Sequence, residues 1–179
     1  MITPMVARLV SDPFDREGWL FELKWDGFRA IAERDHGGHV SIYSRNHKDF
    51  STRFPPIVEA LSALKRPAIL DGEPFVYYAF DLLMLDGKGL RQLSLVKANS
   101  ALPRFLTGHP RLLDVEHIEK EGLAMFAGAL ALGLEGIVAK EGKSPYVEGR
   151  HATWHWQKIK SREYKRQGKV EFGQSRGKV

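Results

Sequence analysis

An alternating segment near the N-terminus places the strongest constraint on what this chain can fold into. Between Trp19 and Trp25 the apolar side chains fall on every second residue, and the charged side chains of Glu22 and Lys24 lie between them. A two-residue repeat is typical of a β-strand with one buried face. Asp26 and Gly27 follow directly and predict a tight turn. The sequence therefore predicts a strand that ends at a turn and carries charged side chains on its polar face.

Further patterns along the chain predict a mixture of strands and helices. Two more strands, over 28–34 and 40–45, are expected to join the first in an antiparallel meander. Helices are predicted over 55–64, 97–106 and 119–132, the last with Leu123, Phe126, Ala127 and Leu130 on one face and Gly133 at its C-terminal end. Strands are predicted again over 136–140 and 154–160. The predicted class is α+β, with antiparallel sheets flanked by helices.

Composition excludes several kinds of protein and several kinds of site. With 179 residues, of which 43% are hydrophobic, the chain suits one globular domain. No apolar run approaches the ~20 residues of a membrane span, and no signal peptide is recognisable. We therefore expect a cytoplasmic protein with no membrane partner. Because the chain has no cysteine and its seven histidines are scattered, a catalytic metal would have to be held mainly by carboxylates.

The positive charge is concentrated at the C-terminal end. Residues 158–179 contain eight lysines and arginines against two glutamates, a local charge of +6, whereas the rest of the chain, with 19 basic and 20 acidic residues, has a charge of −1. A basic segment on a nearly neutral body indicates contact with a polyphosphate such as nucleic acid, although a solvated terminus has the same composition. We take 161–179 as a basic tail distinct from a domain at 1–160.

The octet from Glu22 to Arg29 has the form E-x-K-x-D-G-x-R, and six further strings follow it at intervals. These strings are Ser44-Arg45-Asn46, Leu70 to Glu73, Tyr77 to Leu83, Glu135 to Lys140, Ser144 to Tyr146 and Trp156 to Lys160. In content and order they resemble the motifs of ATP-dependent DNA ligases, in particular the ligase domain of bacterial end-joining enzymes. The resemblance implies a nucleotidyltransferase (adenylation) domain fold.

The resemblance also implies a covalent mechanism that starts at Lys24. In that family the corresponding lysine attacks the α-phosphate of ATP and holds AMP as a phosphoramidate; AMP then moves to the 5′-phosphate of nicked double-stranded DNA. Only a neutral amine attacks, and deprotonating a free lysine of pKa ~10.4 at pH 7 costs about 4.6 kcal/mol. Partial burial, a divalent metal and the nearby cations Lys158 and Lys160 would each reduce that cost.

Roles for the other candidate site residues follow from the same resemblance. It implies that Glu22 helps to recognise adenine, that Arg29 contacts the ribose and that Phe80 stacks on the purine. Arg45, Lys158 and Lys160 would bind phosphate, and Glu73 and Glu135 would hold Mg²⁺ or Mn²⁺ or the sugar. From the residues alone, Phe80 is better explained as a core aromatic, and the two lysines as an exposed strand surface. Asp81 and Lys140 fall within matching strings and are assigned no role.

Two departures from the family pattern affect these expectations. The segment that normally separates the strand of Glu73 from the strand of Tyr77 is missing, so the domain is expected to be shortened there. In one straight strand Glu73 and Phe80 would lie about 23 Å apart on opposite faces, whereas Pro74 predicts a break that could bend the chain. We also expect no oligonucleotide-binding (OB) barrel within these residues, although such a barrel follows this domain in the family.

The predicted function is therefore that of the adenylation domain of an ATP-dependent DNA ligase acting in repair. It would use ATP with Mg²⁺ or Mn²⁺ and act on nicked DNA in a bacterial cytoplasm, associated with the nucleoid. A separate OB-fold or end-joining protein would be a further partner. Two alternatives stay open: a catalytically impaired remnant that binds nucleic acid through its basic face and tail, and a related RNA ligase or capping guanylyltransferase.

Overall fold

The structure is a computed structural model that describes residues 1–25, 27–74, 76–149 and 151–164. Its first sheet contains, in spatial order, β1 (Val6–Val10), β11 (Ala152–Lys160), β10 (Gly136–Glu141), β2 (Arg16–Lys24) and β9 (His117–Lys120). Its second sheet contains β4 (Val40–Ser44), β3 (Ala30–Arg34), β5 (Ala68–Glu73), β6 (Tyr77–Leu85) and β7 (Lys88–Gly89), with β8 (Leu112–Asp114) beside β6. The helices are α1 (Pro55–Ser62), α2 (Leu95–Asn99), α3 (Leu102–Leu106) and α4 (Gly122–Ala131), and a 3₁₀ turn spans Ser51–Arg53. The predicted α+β class is confirmed.

Most strand pairs are antiparallel, but the predicted meander of the first three strands is wrong. β2 lies in the first sheet, whereas β3 and β4 pair with each other in the second. The residues after Lys24 therefore carry the chain from one sheet to the other. Asp26, predicted to fix a turn, lies outside the described residues. Alternation identifies a half-buried strand but not the sheet to which it belongs. Two pairs, β1 with β11 and β6 with β8, are parallel.

Three clusters of buried apolar residues hold the layers together. One lies beneath the second sheet and includes Ile57 of α1 and Leu102 and Leu106 of α3. Another lies between α4 and the first sheet, around Phe21 and Ile137. The third joins the two sheets and consists of Ile2, Met5, Ile31, Tyr43, Leu83, Tyr146 and Trp156. The face of the first sheet turned away from α4 is therefore directed towards the second sheet.

The chain reverses between Glu73 and Tyr77. β5 and β6 form an antiparallel hairpin in which Glu73 pairs with Tyr78, and two register shifts interrupt the ladder within β5. The break predicted at Pro74 is therefore confirmed, and a single straight strand over 70–83 is not formed. Phe75 lies outside the described residues.

Two helix predictions need correction. The helix predicted over 97–106 is two short helices, and Pro103 stands in the first turn of α3, where its missing N–H is not needed. In α4, Leu123 and Leu130 are 51% and 43% exposed, whereas Gly122 and Ala129 are buried. These two small residues allow α4 to approach the sheet closely. The predicted C-terminal cap is confirmed, because Gly133 has a φ of +69° and its amide donates to the Leu130 carbonyl.

The described part of the chain contains no helix long and apolar enough to cross a membrane. It also builds no OB module beyond the two sheets. The predicted basic tail is described only as far as Tyr164, so most of it lies outside the described residues.

Candidate active site

Strand register places the charged side chains of three neighbouring strands on one face of the first sheet. In the pairing of β2, β10 and β11, three rows cross this face: Lys24, Gly136 and Lys160; Glu22, Val138 and Lys158; and Leu20, Lys140 and Trp156. The intervening residues point to the opposite face and pack against α4. Residues far apart in the chain are thus collected in one cleft between the sheets.

Gly136 sits in the middle of the first row and is required there. Its φ is +148°, and a Cβ atom at this position would lie 2.0 Å from the carbonyl oxygen of Ile159. Any side chain would therefore push β10 and β11 apart. With glycine in place, no side chain stands between Lys24 and Lys160 in the row.

A single carboxylate joins the two lysines of this row. The Nζ atom of Lys24 lies 2.6 Å from Oε2 of Glu135, and Nζ of Lys160 binds Oε1 of the same group. Burial would raise the pKa of Glu135, but the hydrogen bonds and charges of the two ammonium groups outweigh it and lower the pKa. The carboxylate is therefore ionised at neutral pH, and it holds two cations side by side.

Lys158 and Arg45 extend this group of cations. Burial, together with the positive charges of Lys160, Lys24 and Arg45, lowers the pKa of Lys158. Arg45 directly follows β4, and its positive charge is one of those that act on Lys158. A surplus of positive charge beside Lys24 is suited to binding a polyphosphate.

Lys140, to which the sequence assigned no role, is an almost fully buried charged residue of the cleft. Its side chain is 1% exposed, and its Nζ atom lies 2.7 Å from Oε2 of Glu22. The same Nζ atom donates to the Phe80 carbonyl at 3.0 Å and lies 4.6 Å from the Phe80 ring centroid and 4.4 Å from that of Trp156. The two-residue repeat Gly136, Val138, Lys140 was the signal that could have placed Lys140 on this face.

Arg29 lies at the centre of a buried polar network. Its guanidinium group binds both carboxylate oxygens of Asp71 and the Met5 carbonyl, and it lies 3.3 Å from the Tyr146 hydroxyl. The Tyr146 hydroxyl donates to Asp71 at 2.6 Å and accepts the Met5 amide. The guanidinium carbon is 5.3 Å from the Phe80 ring centroid, so Arg29 borders the cleft while it anchors the N-terminal segment.

The hairpin of β5 and β6 contacts the segment that follows Lys24. A Cβ atom on Gly27 would lie 2.5 Å from Oε2 of Glu73, so the Glu73 carboxylate rests against this glycine. Trp25 stacks on Tyr78, with ring centroids 5.3 Å apart and an interplanar angle of 14°. Glu73 is therefore close to the loop after Lys24, whereas Glu135 binds Lys24 itself.

Phe80 is partly exposed in the cleft between the sheets. Its ring meets Trp156 edge to face, with centroids 6.1 Å apart. Its backbone is fixed on both sides, because Asn99 and Lys140 both donate to its carbonyl oxygen. The ring is thus held at a defined place beside Glu22 and Arg29.

The described residues contain no cluster of three or more histidines and carboxylates that could hold a metal alone. Mg²⁺ is commonly held by one or two carboxylates, with substrate phosphates and water as its other ligands. Glu73 and Glu135 are the carboxylates that the sequence analysis named for such an ion, and in this structure both oxygens of Glu135 are paired with Lys24 and Lys160.

Comparison with protein families gives a match to the ATP dependent DNA ligase domain over residues 4–77 and 73–160. The two matched pieces meet at the hairpin between β5 and β6. Among curated relatives, the SPbeta prophage-derived DNA ligase-like protein LigB of Bacillus subtilis is 26% identical over 91% of this chain and 68% of its own length. The multifunctional non-homologous end joining protein LigD of Pseudomonas aeruginosa is 30% identical over 86% of this chain.

Solved structures show the same relationship. A mycobacterial DNA ligase D complexed with ATP and MES is 29% identical, with a TM-score of 0.76 over 89% of this chain. The ligase domain of LigD from M. tuberculosis gives 29% identity and a TM-score of 0.77. The chain spans 60% and 59% of these two structures and 21% of the Pseudomonas LigD protein.

Proposed function

Because the chain belongs to the ATP-dependent DNA ligase domain family, we propose that it is an adenylation domain in which Lys24 becomes covalently linked to AMP. The observation that carries this proposal is the position of the Lys24 amino group. It lies in a cleft between the two sheets, 2.6 Å from Glu135 and in one strand row with Lys160. A lysine on an isolated strand surface would lack both features.

The covalent step forms a nitrogen–phosphorus bond and releases pyrophosphate. The neutral amine of Lys24 attacks the α-phosphorus of ATP, and the bond from that phosphorus to the bridging oxygen of pyrophosphate breaks. The ammonium first loses its proton to solvent, since the lowered pKa makes Glu135 a weak base. Glu135 therefore serves to orient the side chain of Lys24 rather than to activate it.

The cation group beside Lys24 supports phosphate binding. Lys158 and Lys160 stand on the same strand face as Lys24, and the charge of Arg45 acts on Lys158. Fixed cations at this place would stabilise charge that develops on the phosphate oxygens. A divalent ion, which Glu73 and Glu135 would hold, neutralises phosphate charge when it is bound.

The part of the cleft around Glu22 and Phe80 supports binding of the nucleoside. Glu22 would accept a hydrogen bond from adenine, Phe80 would stack on the purine, and Arg29 would contact the ribose. These three side chains are neighbours, because Lys140 joins Glu22 to Phe80 and Arg29 lies beside the Phe80 ring. The closeness of these three side chains to one another supports their proposed roles in binding one nucleoside.

The proposed second step transfers AMP to the 5′-phosphate of a nick in double-stranded DNA. The relatives named above include bacterial ligases and end joining proteins, which is consistent with DNA repair in a bacterial cytoplasm, with association to the nucleoid. A separate OB-fold or end-joining protein is the partner we propose for closing the complex over DNA. Transfer of AMP to DNA would therefore involve this partner as well as the described domain.

The test is incubation with ATP labelled on either its α- or its γ-phosphate, in the presence of Mg²⁺ or Mn²⁺, followed by a chase with nicked DNA. We expect label from the α-phosphate alone to remain on the protein and then to move to DNA. Absence of protein-bound label with both metals would overturn the proposal. Salt-sensitive DNA binding without labelling would instead favour the impaired remnant.

A further inference from the structure

The ammonium group of Lys140 contacts two parts of the proposed base subsite at once. It pairs with Glu22 at 2.7 Å and donates to the Phe80 backbone at 3.0 Å, while the rings of Phe80 and Trp156 lie on its other sides. Glu22 and Lys140 are 7% and 1% exposed. Each of these side chains is therefore too buried for water to solvate its charge if the other charge were removed.

Burial gives this ion pair a direct effect on the charge of Glu22. Burial raises the pKa of Glu22, and the charge and hydrogen bond of Lys140 oppose that rise without cancelling it. Buried glutamates without a partner are known with pKa values of about 8–9. Lys140 thus favours the ionised form of Glu22.

Other charged groups near Glu22 affect its pKa less than Lys140 does. His117 of β9 is the register partner of Glu22 and acts in the same direction as Lys140, to a smaller extent. Asp81 of β6 also faces this region. Burial raises the pKa of Asp81, and the positive charges of Lys140 and Arg29 oppose that rise. Of the groups that the structure describes around Glu22, only Lys140 forms an ion pair with it.

We propose that Lys140 is a positioning residue that sets purine selectivity, by pairing with the Glu22 carboxylate and by holding Phe80 against the same ammonium group. This inference rests on the proposed function, since it takes Glu22 and Phe80 as the adenine contacts. An ionised carboxylate accepts a hydrogen bond from the exocyclic amine of adenine. It repels the O6 acceptor that guanine presents at the same position, whereas a protonated carboxyl could donate to that atom.

The test is equilibrium binding of ATP and GTP analogues whose α,β-bridging oxygen is replaced by methylene, so that no covalent step interferes. Binding is measured at about pH 7.5 and about pH 9, above the range where an ordinary histidine of pKa ~6.5 titrates. In Lys140→Met we expect ATP-analogue affinity at about pH 7.5 to fall roughly tenfold or more, with a matching loss of preference over GTP. Part of the loss should be recovered at about pH 9, where Glu22 ionises without its partner.

Two further variants separate this role from a purely structural one. Lys140→Arg keeps the charge and should retain most of the adenine preference, whereas Lys143→Met removes an exposed lysine nearby and should leave binding unchanged. Removing one partner of a buried pair can unfold a protein, so Glu22→Gln/Lys140→Met removes both charges. This double variant should bind the ATP analogue weakly and with no dependence on pH.

The proposal is overturned if folded Lys140→Met, or the double variant where the single one does not fold, binds both analogues as the unaltered protein does. An unaltered protein that binds neither analogue would overturn it together with the proposed function. Normal analogue binding without labelling of Lys24 would refute the proposed function and leave the role of Lys140 in base selection supported.

Discussion

The amino group of Lys24 and the carboxylate of Glu135 lie 2.6 Å apart although 111 residues separate them in the chain. The second oxygen of Glu135 is bound by Lys160, so one carboxylate orients the candidate nucleophile and a candidate phosphate ligand together. This arrangement is produced by the pairing of β2, β10 and β11, with Glu135 directly before Gly136.

Replacement of Glu135 by glutamine should slow labelling by ATP at least about tenfold, because a charge-assisted contact that orients Lys24 is worth about 1.5–3 kcal/mol. The Mg²⁺ concentration for half-maximal labelling should also rise, since a carboxylate ligand is lost. Glu119→Gln, at an exposed position of β9, is the control. An unchanged rate and metal requirement in Glu135→Gln would contradict the proposed role.

Gly136→Ala should destabilise the protein by about 3 kcal/mol or more, since the new Cβ atom would lie 2.0 Å from the Ile159 carbonyl oxygen at a backbone φ of +148°. Gly128→Ala in α4 meets no neighbouring atom and should raise stability slightly, because alanine favours a helix. Urea unfolding of both variants measures the difference. Equal stabilities would show that β10 and β11 do not approach as described.

Loss of the Tyr146 hydroxyl should loosen the N-terminal segment. In Tyr146→Phe the Met5 amide and one Asp71 oxygen each lose a buried partner, which should cost about 2 kcal/mol. Hydrogen exchange at the Met5 amide should accelerate at the same time. Tyr78→Phe keeps its stack on Trp25 and should leave that exchange rate unaltered; similar exchange in both variants would be evidence against the network.

Asp81 should make stability depend on pH. Burial raises the pKa of Asp81 to about 7, and its Oδ2 atom has no hydrogen-bond partner among the described residues. A carboxyl that binds its proton more tightly when folded stabilises the fold at low pH, and this contribution is lost as the pH rises through about 7. Asp81→Asn should therefore gain stability over the unaltered protein, by about 3 kcal/mol between about pH 5 and about pH 8.

Exposed Asp86 provides the control for that pH dependence. Its hydrogen bond to Arg66 lowers its pKa, so its contribution is lost only as the pH falls through the acidic range. Asp86→Asn should thus show no trend above about pH 5. Parallel stability curves for Asp81→Asn and the unaltered protein would mean that Asp81 titrates normally.

Local patterns in the sequence were sufficient to predict the central strands of the first sheet. The alternation before Lys24 and the two-residue spacing of Lys158 and Lys160 placed these lysines correctly on polar strand faces. They could not show that β2 and β3 belong to different sheets, because alternation depends on burial of one face and not on the identity of the pairing partner. β1 was missed because its pairing with β11 joins opposite ends of the chain.

The interior of the cleft was harder to predict than its rim. Lys140 was left without a role because its partner, Glu22, lies 118 residues earlier in the chain. No local pattern indicates an ion pair between residues so far apart. The exposed positions of Leu123 and Leu130 were also missed, since close contact of α4 through Gly122 and Ala129 decides which face is buried. Tertiary contacts overrode the local pattern at both places.

The central claim is tested most directly by locating the nucleotide on the chain. After incubation with ATP and Mg²⁺ or Mn²⁺, peptide mapping by mass spectrometry should find AMP on Lys24, and added pyrophosphate should remove it and regenerate ATP. Lys24→Ala should carry no AMP, whereas Lys48→Ala, at an exposed loop position, should be labelled normally. AMP bound at another residue, or none on a protein that binds ATP, would contradict the account.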